Sequence, residues 1–278
     1  MRFIGYYTGL LLLFSGQLCA QNNQASDLLA RAQQFQQAGN CNQAIPLLEA
    51  ALQQYSTFSP AVLALAQCYN QQQAFSKTIE LLQLRPRLLQ VDAALLLERA
   101  RAFAALGNVS DAQYDLDRIL QLQPAHVAAL TAKADMYRLQ LQNSATALIW
   151  YQKAIAAAPD SGYNYAWAGW CCNNQGLFTE AIPFLQQALQ KAPLLQGFIL
   201  AEWGFALYGQ NNYTEAKAQL QRACTMDPKN AAALYYLGLC YVQEQNKAAA
   251  VKQYNYLVLL KSTYAPILLQ QIQTMHTP

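Results

Sequence analysis

The sequence predicts an all-α fold, an α-solenoid of about seven tandem helix-turn-helix repeats closed by a short C-terminal capping helix. Three observations carry this. Pro124, Pro159, Pro193 and Pro228 recur every 34 or 35 residues, each closing an apolar helical run, and a fixed period of that length marks a repeat array. Windows beginning at Ala25, Ser59, Ala93, Ala128, Gly162, Gly197 and Ala231 align small residues at two places. The eighth holds Ala32, Ala66, Ala100, Asp135, Gly169, Gly204 and Gly238, and the twentieth holds Ala44, Thr78, Ala112, Ala147, Ala181, Ala216 and Ala250. Small residues at paired places let two helix backbones approach closely. Finally, charged residues make up only 12% of the chain, against roughly 25% in an average soluble domain, which describes a helical chain with an amide-rich surface.

Residues 1–20 follow a secretory plan: Arg2 is the lone early cation, Leu10, Leu11, Leu12, Leu13 and Phe14 form the apolar centre, and Leu18-Cys19-Ala20 precedes polar Gln21-Asn22-Asn23. The expectation is a signal peptide cleaved after Ala20 and an exported, periplasmic or extracellular protein. The alternative is a membrane anchor, but Gly5, Thr8, Gly9, Ser15 and Gln17 interrupt a stretch that falls short of the ~20 apolar residues of a span. Leu18 and Gly16 are not the residues that a lipidation signal at Cys19 wants.

The repeat region is placed at 21–264. Its windows read as pairs of amphipathic helices, as in Leu96, Ala100 and Phe103 or Leu234, Leu237, Gly238 and Tyr241. Turn signals separate the pairs at Ala38-Gly39-Asn40, Leu106-Gly107-Asn108, Gln175-Gly176 and Gly209-Gln210-Asn211-Asn212, where Gly or Asn accepts the left-handed conformation that ends a helix. Windows one, two and four are less regular. Arg31 and Arg138 fall at usually apolar places, and the first two windows lack a closing Pro. Residues 265–278 keep Pro266, Ile267, Leu268, Ile272 and Met275 at helical spacing, which suits the cap that an open array end needs.

In these features the chain resembles the tetratricopeptide repeat family. The best windows are the fifth, with Ala168-Gly169, Gly176, Phe178, Ala181, Ala188 and Pro193, and the sixth, with Trp203-Gly204, Tyr213, Ala216, Ala223 and Pro228. The resemblance implies that first helices line an inner, concave surface through their second, fifth, sixth, ninth, twelfth and thirteenth places. In windows one to four those places hold no aromatic residue. They offer Gln33, Gln36, Gln37, Gln67, Asn70 and Gln71, then Glu98, Arg101, Lys133 and Met136. In windows five to seven they hold Tyr163, Trp167, Trp170, Phe198, Phe205, Tyr208, Tyr235 and Tyr236, with Glu202, Asn173 and Asn174 as the polar groups.

Aromatic rings give large contact area at low rotamer cost, so this set, with Glu202, is the candidate partner-binding face for an apolar or aromatic protein segment. Places four, seven, eight and eleven already supply core through Tyr165, Ala168, Leu200, Trp203, Leu234 and Leu237. Burial of the stripe by the cap or by a second copy of the chain is the competing reading. The Lys, Arg and Asn pattern with which co-chaperone members of the family hold C-terminal carboxylates is absent.

No catalytic, cofactor or metal constellation is expected. His126 sits in an inter-repeat connection and His276 near the end, and no nucleophile-elbow, zinc-protease, phosphate-loop or dinucleotide motif occurs. Ser110 and Asp111 read as a helix start, with Asp115 and Asp117 beyond it, rather than as a calcium loop. A net charge of +3 gives no basic field for nucleic acid. Cys68, Cys171 and Cys240 share the small, buried tenth place, Cys172 takes the next, and Cys41 and Cys224 lie on second helices. In an oxidising compartment Cys41 and Cys68 are candidates for a bridge. The function expected is an exported adaptor or scaffold. A carbohydrate- or envelope-binding component using the same face is the alternative, though sugar sites usually carry more carboxylates and amides than Glu202, Asn173 and Asn174.

Overall fold

The computed structural model describes residues 23–275; the leader expected at 1–20 and the last three residues lie outside them. The described chain is helical and without strands. It forms two compact units divided between Pro124 and Ala125. The first holds α1 (23–37), α2 (Cys41–Gln54), α3 (Ser59–Gln71), α4 (Phe75–Gln83), α5 (Ala93–Ala105) and α6 (Val109–Leu122). In the second lie α7 (Val127–Leu139), α8 (Ser144–Ala157), α9 (Gly162–Asn174), α10 (Phe178–Lys191), α11 (Gln196–Gly209), α12 (Tyr213–Met226), α13 (Ala231–Gln243), α14 (Lys247–Leu259) and α15 (Tyr264–Gln273). Odd-numbered helices up to α13 are the first helices of the seven repeats, and α15 is the cap, starting one residue before the expected 265. No described helix is long and apolar enough to cross a membrane.

The two small columns are the helix contacts. Every residue of the twentieth place is fully buried, Thr78 included. In the eighth place Ala32, Ala66 and Ala100 are buried, and the second unit goes smaller. A Cβ added to Gly204 would stand 2.4 Å from Leu220 Cγ, and one added to Gly169 would stand 2.6 Å from Leu185 Cγ. Those leucines belong to a third column, Leu48, Leu82, Leu116, Leu185 and Leu220, fully or almost fully buried on the second helices.

Each turn between the two helices of a repeat places one residue in the left-handed region, the fifteenth of its window except in window four, whose longer turn makes it the sixteenth. Gly39, Gly107 and Gly176 take it freely, Asn211 takes it at φ +60°, and Gln73, Gln142 and Gln245 take it at +59°, +49° and +53°. Glutamine has no special tolerance for that conformation, which is why the turns of windows two, four and seven carry little signal. The following Asn then caps the second helix, as Asn40, Asn143, Asn212 and Asn246 accept from the backbone N–H three residues on. The helix expected to start at Ser110 and Asp111 has Asn108 at its N-cap and Asp111 in its first turn.

Two windows depart from the expected register. In window two Pro86 stops the second helix after Gln83, since proline removes a helical N–H and constrains the residue before it. A single 3₁₀ turn, Leu88–Gln90, carries the chain on to α5. In window four the turn contains four residues, 140–143, where the other turns contain three. The helix therefore starts at Val127 and not at Ala128. Its small eighth residue is Ala134, fully buried, while Asp135 moves to the ninth place and Arg138 to the twelfth. Lys133 and Met136, expected on the inner face, are buried. Lys133 covers the Trp150 ring at 4.2 Å, and Met136 fills the tenth place that Cys68, Cys171 and Cys240 fill elsewhere.

The six described cysteines are free. Cys68, Cys171, Cys172 and Cys240 are buried as expected, and desolvation lifts Cys68, Cys171 and Cys240 to about 12 and Cys172 to about 11. Such thiols pack and do not react. Cys41 and Cys68 are neighbours without being bonded: Cys41 donates to Gln71 at 3.1 Å, and Cys68 accepts from Gln36 at 3.3 Å.

Candidate functional site

One contact recurs between successive repeats within each unit: the twelfth place of one first helix meets the sixth place of the next. Gln36 Nε2 donates to the Ala64 carbonyl at 2.9 Å. Asn70 Nδ2 donates to the Glu98 carbonyl and to Glu98 Oε2, both at 2.9 Å. In the second unit Asn173 Nδ2 does the same to the Glu202 carbonyl at 2.9 Å and to Glu202 Oε2 at 2.8 Å. The Arg138 guanidinium lies 3.7 Å from the Trp167 ring centroid, and the Tyr208 and Tyr236 rings meet at 5.8 Å. The shifted register of window four follows from this rule, because Arg138 reaches Trp167 only as a twelfth residue.

All eight aromatic residues expected on the inner face lie on α9, α11 and α13 and keep accessible surface, Tyr163 most at 38%. They form two groups. Trp167 joins Tyr163 at 6.0 Å, Trp170 at 5.8 Å and, across to α11, Phe198 at 4.8 Å. Phe205 stacks on Tyr236 at 4.5 Å, which meets Tyr208 and Tyr235. Three residues outside the expected set extend the second group: Phe178 against Phe205, Tyr213 against Tyr208, and Tyr264 of the cap stacked on Tyr235 at 4.8 Å. The cap thus covers one flank of Tyr235 and leaves the stripe accessible.

The first group is built around an ion pair that sequence reasoning missed. Arg138 Nη2 donates to Asp135 at 3.0 Å and its Nε donates to the Tyr151 hydroxyl at 2.9 Å. Tyr151 and Tyr163 both donate to Asp135. Burial opposes the charge on Arg138, but Tyr151 and Asp135 outweigh it and hold its pKa above the ordinary value. Burial, then Asp135, pushes the Tyr163 phenol up to about 12. The signal exists in the sequence as a Tyr at 151 where five other windows place leucine, and as charged Asp135 and Arg138 in a first helix. Trp167 Nε1 is buried with no hydrogen-bond partner, so this ring is part scaffold.

Glu202 stands at the seam. On α11 it follows Phe198 by four residues and precedes Phe205 by three, so it shares their helix face between the two aromatic groups. Desolvation raises its carboxyl to about 7, against which the Asn173 hydrogen bond acts.

The family model for tetratricopeptide repeats matches residues 97–162 and 202–264, and a second tetratricopeptide repeat model matches residues 35–102. No curated protein matches the chain in sequence. Among solved structures it is similar to a tetratricopeptide repeat protein from Parabacteroides merdae ATCC 43184, at a TM-score of 0.61 and 16% identity over 91% of this chain and 100% of that one. YrrB, described as a tetratricopeptide repeat protein with an unusual peptide-binding site, matches at 0.56 and 20% over 72% and 97%. MamA from Desulfovibrio magneticus RS-1 matches at 0.56 and 16% over 61% and 94%. These identities speak to the fold. With the repeat matched by family models from 35 to 162 and from 202 to 264, and its small columns and turns met throughout, the chain belongs to the tetratricopeptide repeat family.

Proposed function

We propose that the chain is an exported, non-catalytic adaptor that grips a protein segment on the aromatic face of α9, α11 and α13. The family makes it a protein–protein interaction scaffold; the export and the choice of face are the proposal. One observation carries the choice. The repeat core is complete in its buried columns, yet eight aromatic side chains on neighbouring first helices remain partly accessible, and large accessible aromatic clusters are the usual anchors of interfaces. A peptide-binding site is described for YrrB, a protein of the same fold, which suits the reading. Export is supported by the three-part plan of residues 1–20.

The test is capture from an extracytoplasmic extract with wild type and with the Trp170→Ala, Phe205→Ala double variant as baits. A protein retained by the first and lost by the second is the expected result. Equal retention removes the face from the proposal, and an intact N-terminus in the mass spectrum of the mature protein, in place of one starting near Gln21, removes the cleaved leader.

A further inference from the structure

The Asn–Glu tie is built in both units, but only one copy is electrically complete. In the first unit Asn70 Oδ1 accepts from Thr78 Oγ1 at 2.7 Å, and Glu98 Oε1 accepts from Arg101 Nη1 at 2.9 Å. Both acceptors of that tie have their donors. In the second unit the twentieth place of window five is Ala181 in place of a threonine, and the ninth place of window six is Phe205 in place of an arginine. Asn173, 3% exposed, therefore has a buried Oδ1 without any hydrogen-bond partner. Glu202 has the Asn173 amide and, among the described residues, no ion-pair partner. The Arg138 guanidinium of the first aromatic group is already held by Asp135, Tyr151 and the face of Trp167.

We propose that this seam is the recognition point of the face, and that it takes the ammonium or guanidinium of a Lys or Arg side chain in a partner segment that is otherwise apolar. The proposal rests on the reading of this face as the binding surface. A carboxylate lacking its cation, flanked on its own helix by Phe198 and Phe205, the latter stacked on Tyr236 of the next first helix, offers a cation both an ion pair and ring faces. The occupant's neighbours are fixed by the same geometry. Apolar or aromatic side chains on either side of the cation would meet Trp170 and Phe198 in one direction and Tyr208 and Tyr236 in the other. The molecule already contains an example of the chemistry, because Arg138 is seated by a carboxylate, a phenol and two indole rings at 3.7 and 5.9 Å. An anionic or purely apolar segment would leave Glu202 desolvated and unpaired, which disfavours both.

Selection of a random dodecapeptide library displayed on phage, against the wild-type chain from Gln21 onward, tests this with a defined probe. Recovered peptides are expected to carry one Lys or Arg between apolar residues. Their synthetic versions should bind the Glu202→Gln chain at least fivefold more weakly, and replacing that Lys or Arg by norleucine should weaken binding to wild type but not to Glu202→Gln. Peptides without a cation, or with one whose loss costs the same on both chains, overturn the inference and leave the aromatic face standing. Peptides that bind Trp170→Ala, Phe205→Ala as well as wild type, or a selection that recovers none, overturn the face itself. The amide introduced by Glu202→Gln can still accept from Asn173, and circular dichroism checks that the variant keeps its helicity.

Discussion

The sixth place of window three and the sixth place of window six hold the same residue in the same tie, Glu98 below Asn70 and Glu202 below Asn173, and the two sites differ in what surrounds them. Around Glu98 the helix face carries amides, an arginine and no ring; around Glu202 it carries rings and no free cation. The same tie thus joins neighbouring repeats in both units, and the ninth and twentieth places decide whether its acceptors find donors within the chain. A polar first-helix face closes its own hydrogen bonds and needs no partner. On the proposed reading, an aromatic face whose carboxylate has no ion-pair partner is completed by the segment that docks on it.

The largest expected effect breaks the comparison at its packing level. The eighth place holds alanine in the first unit and glycine in repeats five, six and seven, so Gly204→Leu should cost about 3 kcal/mol or more, because its side chain must displace Leu220. Gly204→Ala should cost about 1 to 2 kcal/mol by the same clash. Urea unfolding measures both, and a neutral Gly204→Ala would mean that the helices of the second unit sit no closer than those of the first.

Next in size is the contribution of the rings to binding. Trp170→Ala and Phe205→Ala should each weaken partner binding by roughly thirtyfold, about 2 kcal/mol, while Gln33→Ala and Gln67→Ala, exposed on the polar first-unit face, leave it unchanged. A titration in which the glutamine variants fail and the ring variants do not would move the site to the first unit. Trp167→Ala is the poorer probe, since that ring also supports Arg138.

A subtler exchange sharpens the contrast. Phe205→Arg gives Glu202 the partner that Arg101 gives Glu98, so the second unit should lose its preference for cationic peptides by about tenfold while staying folded. Unchanged preference in a folded variant would show that the lack of an arginine at the ninth place is not what selects the ligand.

The smallest effect concerns pH. Burial holds the Glu202 carboxyl at about 7, above its ordinary 4.5, so the folded state binds that proton more tightly than the unfolded chain does. Its contribution to stability is therefore full below about 4.5 and lost as pH rises through about 7. Glu202→Gln should overtake wild type as pH rises across that window, by on the order of 1 kcal/mol at pH 8 after allowing for partial contact with water. Denaturation midpoints at pH 4.5 and pH 8 decide it; a gain of the same size at both would point to packing instead of charge.

Period, paired small columns and the aromatic change along the chain are legible because each rests on residue type at a fixed spacing. Gly204 and Ala216 announce a close helix contact by size alone. What escapes is set by register. The longer turn at 140–143 has Gln140, Leu141 and Gln142 before its Asn143 cap and no glycine, so its extra residue goes unnoticed, and in sequence Asp135 looks like an aberrant core residue and Arg138 like a misplaced apolar one. Pro86 is visible, but its effect depends on knowing that the second helix has already begun at Phe75. The nine residues expected at the site do lie on the first-helix face, whereas their division into two groups and the Asn173–Glu202 tie depend on which side chains of adjacent helices come level. A single sequence does not state that.

The four-residue turn of window four carries a wider consequence. An α-helix advances about 100° per residue, so lengthening the loop behind a helix by one position turns its whole surface by more than a quarter circle without altering a single side chain. In window four the ninth and twelfth places are held by Asp135 and Arg138 for this reason, while Lys133 and Met136 face inward. Chains of this architecture can therefore acquire new surface chemistry by insertion or deletion in their turns, a route in which a change of one codon's length re-aims thirteen residues at once.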